Sequence, residues 1–321
     1  MVVATAACGA LSGSNVAATA AAEFYALAFS PDSKQLVASW SDGQRHQLRF
    51  YDPRTGELTR SIRTPRLVED IDYSSQGNLV ATVQNMRAST FRIEIWDAME
   101  GEVVAGRQVT NVSPLSYNRV AFLPLFSSLA IARANAPTLV WNYETSTRWP
   151  LQNGWFSIAA ADGGRLLAYS RHRAIDVVRV ENRRLISTID GSRWGGGMPG
   201  PMAFGPPRLL AVIADDEVEI WQPIRNERLL RMHAGQFSVR SLAFQQRPAR
   251  VAATTTEPAV HVWDARTGEL LRKLKDEGIG RFEDVAVAPR SPLLAASKRS
   301  IFGGSIFVWN MNTGKLIRQI K

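Results

Sequence analysis

Four histidines, His46, His172, His233 and His261, are the first candidates for chemistry, and no two of them stand at a metal-ligand spacing. The lone cysteine, Cys8, can neither complete such a site nor form an intrachain disulfide. Carboxylates gather at Glu69-Asp70-Asp72, at Asp215-Asp216-Glu217-Glu219 and at Glu283-Asp284, without the spacing of a calcium loop. The second group reads as a hairpin whose acids face solvent. The glycine-rich stretch "RWGGGMPGPMAF", Arg193 to Phe204, lacks the Gly-Lys-Ser/Thr of a phosphate loop and opens no helix, so it reads as a connector. No Ser-His-Asp order stands out. The sequence therefore predicts no catalytic residue, no cofactor and no metal, and the chain is not expected to be an enzyme.

What the chain does repeat is a turn. Asp52 to Leu58 and Asp264 to Leu270 share D-x-R-T-G-E-L. Aspartate at the head of a turn accepts a backbone N–H two residues on, and glycine takes a positive φ without steric cost. Alternating apolar residues on both sides make each copy a β-hairpin. Weaker copies place Trp96-Asp97 before Gly101, Trp309-Asn310 before Gly314, Trp141-Asn142 before Ser146 and Trp221-Gln222 before Asn226. A Val/Leu-Ala pair recurs seven times, its alanines at 38, 81, 130, 168, 211, 252 and 295. An apolar leader precedes each pair: Leu27-Ala28-Phe29, Ile71-Asp72-Tyr73, Val120-Ala121-Phe122, Ile158-Ala159-Ala160, Met202-Ala203-Phe204, Leu242-Ala243-Phe244 and Val285-Ala286-Val287. Three markers in one order at a period of roughly 40 to 45 residues are the signature of propeller blades.

On these residues the chain resembles the WD-repeat β-propellers. The resemblance runs from Glu23 to Lys321, with "FSPDSKQLVASWSDG", "LRFYDPRTGEL" and "VHVWDARTGELL" as its best matches. Only Trp96-Asp97 and Trp263-Asp264 are literal Trp-Asp pairs, the opening Gly-His is missing, and the fourth unit carries Val178-Arg179 at the Trp-Asp position. A more distant relative of the YncE-like or lactonase-like kind stays open. The expected fold is all-β: a seven-bladed β-propeller of four-stranded antiparallel blades, at about 23–65, 66–111, 112–154, 155–193, 194–236, 237–280 and 281–321. Trp96, Trp141, Trp221, Trp263 and Trp309 are expected to be buried between blades, about 2–3 kcal/mol each by area. The recurrent alanines fit the narrow end of each wedge. All seven units are complete in chain order, so the ring closes either by packing of the last blade on the first or with help from residues 1–22.

Loops entering the first strand of each blade gather on one rim, and in WD-repeat proteins this face commonly binds partner peptides. Two positions before each leader stand Tyr25, Glu69, Asn118, Phe156, Gly200, Arg240 and Glu283. Aromatics and arginine dominate interface energies, which singles out Tyr25, Phe156 and Arg240 for contact. Phe24, Tyr117, Trp155, Trp194, Phe237 and Phe282 lie beside them, and Phe24, Tyr117 and Phe282 read as the first buried residues of their strands. The expected role is a non-catalytic scaffold for a protein or peptide partner, working as a monomer. Two alternatives belong to other classes. A lactonase- or quinoprotein-like propeller would need polar side chains converging on the axis, against which the inner alanines and aliphatics speak. The other is a sensory or regulatory domain of a longer, membrane-linked chain.

The 38 Lys+Arg against 29 Asp+Glu give a net charge of +9. Only Lys34, Lys273, Lys275, Lys298, Lys315 and Lys321 are lysine, an arginine bias of the kind a GC-rich, bacterial genome imposes. Arg45, Arg49, Arg54, Arg60, Arg63 and Arg66 could form a basic edge for an acidic partner, but charges on outer strands more often deter edge-to-edge pairing, and nucleic acid is not an expected partner. Residues 1–22 contain no charged side chain and nine alanines. They make a poor signal peptide and a weak membrane span. They would fit the remnant of a signal or membrane segment if the chain extends upstream of Met1; otherwise the expected location is cytoplasmic.

Overall fold

Seven sheets of four strands each, every strand hydrogen-bonded to the next in chain order, make a seven-bladed β-propeller. In the computed structural model the described residues are 21–87, 90–110, 119–132, 136–154, 157–192, 194, 199–235 and 238–321. The first strands of the blades are β1 (Glu23–Phe29), β5 (Val68–Tyr73), β9 (Arg119–Leu123), β13 (Ile158–Ala161), β17 (Met202–Gly205), β21 (Val239–Gln245) and β25 (Arg281–Val287). These pack on one another around the axis. The fourth strands, such as β4 (Leu58–Thr64), β24 (Leu270–Lys275) and β28 (Leu316–Ile320), lie outermost and show the half-exposed alternation of an edge.

The repeated turn joins third to fourth strand, as its sequence predicts. Gly56 and Gly268 both sit at φ +77°. Asp264 Oδ1 accepts the backbone N–H of Arg266 at 2.7 Å and of Thr267 at 3.1 Å, and Asp52 does the same for Arg54 and Thr55. Where the glycine is missing, Ser146 and Asn226 take the left-handed conformation themselves, at φ +59° and +53°.

The core is divided into seven apolar clusters, one between each pair of neighbouring blades. Each draws one residue from the end of the third strand: Tyr51, Trp96, Trp141, Val178, Trp221, Trp263 and Trp309. Trp96, Trp141, Trp263 and Trp309 are buried as expected. Trp221 is only partly buried and donates its indole N–H to Glu219 Oε2 at 2.9 Å. Two sites break the repeat. Where Val178 stands in place of tryptophan, the partly buried Trp149 and Leu151 of the preceding blade pack against the same cluster. At the next interface Trp194, placed by sequence on the rim, is buried instead among Ile175, Ile189 and Met202.

The acids around Glu219 also depart from expectation. Glu219 is fully buried and not solvated. Its Oε2 accepts the indole N–H of Trp221 and, at 3.3 Å, that of Trp194, and Arg228 Nη1 stands 2.7 Å from Oε1. A strand flanked by blades on both faces has no solvent side, so an acid at an alternating position must find partners inside.

The ring closes without exchange of a strand among the described residues, since β28 completes the sheet of β25 and β1 begins its own. Phe24, Leu27 and Trp40 of the first blade share one cluster with Leu293, Ile306 and Val308 of the last. Polar contacts reinforce the seam. Asp284 Oδ2 accepts the Leu27 N–H at 2.9 Å, Ser297 Oγ donates to the Tyr25 carbonyl at 3.0 Å, and the Arg290 N–H donates to Ser33 Oγ at 2.8 Å.

Candidate functional site at the mouth of the channel

The inner strands open on irregular pairing. The antiparallel register slips between Val68 and Asp70 in β5, between Val239 and Ser241 in β21 and between Phe282 and Asp284 in β25. The extra residues are Glu69, Arg240 and Glu283. Tyr25 lies within the corresponding slip between Phe24 and Leu27 of β1. A bulge kinks its strand and re-aims the side chains on either side of it, so one device serves two purposes here. It sets Tyr25, Glu69, Arg240 and Glu283 at the rim, and it sets Asp70, Ser241 and Asp284, the residues after the last three, at the channel, while Ala26 after Tyr25 packs between the first two blades.

On the rim, the last two blades and the first bring three of the expected residues together. Arg240 Nη1 lies 3.3 Å from Glu283 Oε2, and Glu283 Oε1 takes Arg281 Nε at 2.5 Å. Beside this trio, Tyr25 donates its hydroxyl to Glu23 Oε2 at 2.8 Å, and Arg299 Nη2 reaches the same oxygen at 2.9 Å. The Arg299 guanidinium sits 5.4 Å from the centre of the Tyr25 ring, within reach of a cation–π attraction. Partial burial, then the hydrogen bond to Glu23, push the Tyr25 phenol up to about 12, and the charge of Glu283 adds to the shift. The two groups therefore share one electrostatic field along the mouth.

Sequence reasoning named Tyr25, Arg240 and Glu283 but missed Glu23, Arg281 and Arg299, whose recruitment depends on the neighbouring strand. Phe24 and Phe282 are buried, as expected. Gly200 donates its N–H to the Ile213 carbonyl at 2.9 Å. Asn118 and Phe156 lie outside the described residues, as do Tyr117, Trp155 and Phe237.

Below the rim, the position just before six of the seven apolar leaders forms a ring. Asp70, Arg119, Ser157, Pro201, Ser241 and Asp284 all line an axial cavity of about 620 Å³. The expectation that alanines and aliphatics leave the axis apolar is corrected at this level. The carboxylates are nevertheless occupied. Asp70 Oδ1 pairs with Arg119 Nη1 at 2.8 Å, and its Oδ2 accepts the Val120 N–H at 2.8 Å. Asp284 Oδ1 accepts the Ser241 hydroxyl at 2.6 Å while Oδ2 holds Leu27. Each acid thus ties its own blade to the next. Burial raises the Asp70 carboxyl, against the pull of Arg119.

Two residues deeper, alanines dominate: Ala28, Ala203, Ala243 and Ala286 line the channel, with Asp72 as the exception. Asp72 Oδ2 accepts the Phe122 N–H at 2.7 Å. Desolvation, only partly offset by that bond, pushes its carboxyl up to about 7. Among the described residues no three His, Cys, Asp or Glu side chains are grouped so as to hold a metal ion.

No family model matches the chain, and no curated protein does. Among solved structures it is similar to the β-propeller domain of Cps50 (Swd1) from Myceliophteria_thermophila, with 15% sequence identity, a TM-score of 0.74, and coverage of 90% of this chain and 96% of that one. At that identity the likeness shows the fold alone. It agrees with a WD-repeat-like propeller, and the WD-repeat resemblance itself rests on the residues quoted above.

Proposed function

We propose that the chain is a non-catalytic interaction scaffold that binds a protein or peptide partner across the mouth formed by its last two blades and its first. One observation carries this reading. At the same register position, β-bulges place Tyr25, Arg240 and Glu283 on one rim, where they join Arg281, Glu23 and Arg299 in a mixed-charge surface. Arginine and tyrosine there are partly ordered by their neighbours, so a partner would pay little rotamer entropy to engage them. Carboxylates closer to the axis are spent on blade-to-blade contacts, which supports recognition at the rim over chemistry in the channel. The mixed signs suit a partner segment carrying both charges.

The test is capture of partners from the source lysate by the full chain and by a Tyr25→Ala/Arg240→Ala/Glu283→Ala variant, washed at low and high salt. The reading expects a partner that survives high salt and is lost in the variant. A partner lost in salt but indifferent to the variant would move the site to the arginine-rich edge of the first blade.

A further inference from the structure

On the face opposite the charged mouth, turns of the fourth, fifth and sixth blades enclose a pocket of about 590 Å³, within the size range of small-ligand sites. The hairpin from β17 to β18 (Leu209–Ala214) supplies Arg208. The turn from β19 (Glu217–Gln222) to β20 (Glu227–Met232) supplies Arg225, and the hairpin from β21 to β22 (Arg250–Thr255) supplies Arg247. First strands begin at the charged mouth and end here, so the length of β21 separates Arg240 from this pocket.

Among the described residues no carboxylate lines the pocket. Elsewhere in the molecule arginines meet acids: Arg92 with Glu94, Arg171 with Asp176, Arg228 with Glu219 and Arg299 with Glu23. Arg225 and Arg247 are exposed and form no side-chain ion pair among the described residues. Three guanidiniums around one concavity, without an acid to answer them, raise the local potential for an anion.

The neutral polar groups are set to donate as well. Gln222 Oε1 accepts the Ile224 N–H at 3.2 Å, so its amide offers N–H groups to a ligand. Gln246 Nε2 donates to the Phe204 carbonyl at 3.2 Å and retains a second N–H. The rest of the lining is apolar, with Phe204, Ile224, Pro206 and Pro207 among it. The two prolines lock φ just ahead of Arg208, which stiffens that wall before any ligand arrives.

This lining selects among anions. A carboxylate carries one negative charge, and a phosphate monoester carries about 1.5 to 2 at neutral pH. Three guanidiniums suit the more highly charged group, and their forked N–H pairs match its oxygens. A bare phosphate ion would leave the apolar wall unused, whereas a compact ring attached to the phosphate would bury it.

We propose that this pocket binds a small phosphate monoester with a compact apolar body, the phosphate held by Arg208, Arg225 and Arg247 and the body set against the apolar wall. The site goes beyond partner binding at the mouth, and either can fail without the other.

Calorimetric titration of the full chain with phenyl phosphate tests it, beside titrations with inorganic phosphate and with phenol at one ionic strength. The expected result is saturable binding of phenyl phosphate, at least about tenfold tighter than inorganic phosphate, and no saturable binding of phenol. Arg225→Gln/Arg247→Gln should weaken phenyl phosphate at least about tenfold, at an unchanged melting temperature because both side chains are exposed. Arg54→Gln/Arg63→Gln removes the same charge from the first blade and should bind as wild type does. No saturable binding of phenyl phosphate by the wild-type chain would overturn the proposal. So would binding unaffected by Arg225→Gln/Arg247→Gln, or weakened equally by both double variants, since that response would report net charge alone. Inorganic phosphate binding as tightly as phenyl phosphate would overturn the apolar body, and phenol binding as tightly would overturn the phosphate.

Discussion

The two ends of each blade follow opposite rules. At one end, the turn from third to fourth strand repeats its residues: aspartate at the head, glycine in the left-handed position, the same hydrogen bonds in the first blade and the sixth. At the other end a geometry repeats while its residues change. The bulge recurs in β5, β21 and β25, and the side chains at its extra position are Glu69, Arg240 and Glu283. Repetition of identity marks what every blade needs in order to fold. Repetition of position with changing identity marks a place where the scaffold is constant and the surface is free to be specific.

Between the two lies the channel ring, to which the bulges contribute Asp70, Ser241 and Asp284, and it belongs with architecture. The largest effect is expected there. Asp70→Ala strands Arg119 and the Val120 N–H on the channel wall. It should cost about 2 to 3 kcal/mol in chemical denaturation, less than a fully buried broken pair because Arg119 keeps 30% of its side chain exposed. A loss below about 0.5 kcal/mol would return Asp70 to the candidates for ligand binding.

Gly268→Val comes next. The glycine stands at φ +77°, and a Cβ there would meet Met232 Cγ at 3.6 Å and Leu230 Cδ1 and Cδ2 at 3.9 Å, all ordinary contacts, so the cost is chiefly backbone strain, about 1 to 2 kcal/mol. An unchanged melting temperature would refute the architectural role of the turn.

Asp72→Asn should act through pH. The folded-state carboxyl is raised from 3.8 to about 7, so the folded chain binds this proton more tightly than the unfolded one. Its contribution is fully present below pH 4 and is lost as pH rises through about 7. Asparagine can still accept the Phe122 N–H and carries no charge, so the variant should gain on wild type between pH 4 and pH 8. Parallel melting curves for the two proteins across that range would contradict the assignment.

Much of this molecule was legible in the sequence because the signals were local. A positive-φ glycine, a turn aspartate and an apolar leader each act within a few residues, and seven copies confirm one another. The bulges were harder to see, since one extra residue in Val-Glu-Asp-Ile or Phe-Glu-Asp-Val leaves the apolar pattern readable on either side. The Glu-Asp pairs at Glu69-Asp70 and Glu283-Asp284 were the available clue: two consecutive acids before a leader cannot both face solvent in a strand. The channel ring was not legible, because Asp284 meets Leu27 across 257 residues of chain and only closure of the ring joins them. Glu219 misled for a related reason: its place in an acidic hairpin suggested solvent, but it stands within a strand that is packed on both faces.

The smallest effect on stability, and the most telling, should come from the rim. Tyr25→Ala/Arg240→Ala/Glu283→Ala removes side chains that hold no blade to its neighbour through their own polar groups, except the Arg240–Glu283 pair removed together. The deciding measurement is the affinity of a captured partner for this variant, set against its affinity for Asp264→Ala, with melting temperatures for both. The account predicts that the rim variant loses binding tenfold or more, about 1.4 kcal/mol, at an unchanged melting temperature. It predicts that the turn variant binds normally and loses about 1 kcal/mol of stability with its capping hydrogen bonds. Full binding by the rim variant, or binding lost through the turn, would contradict it.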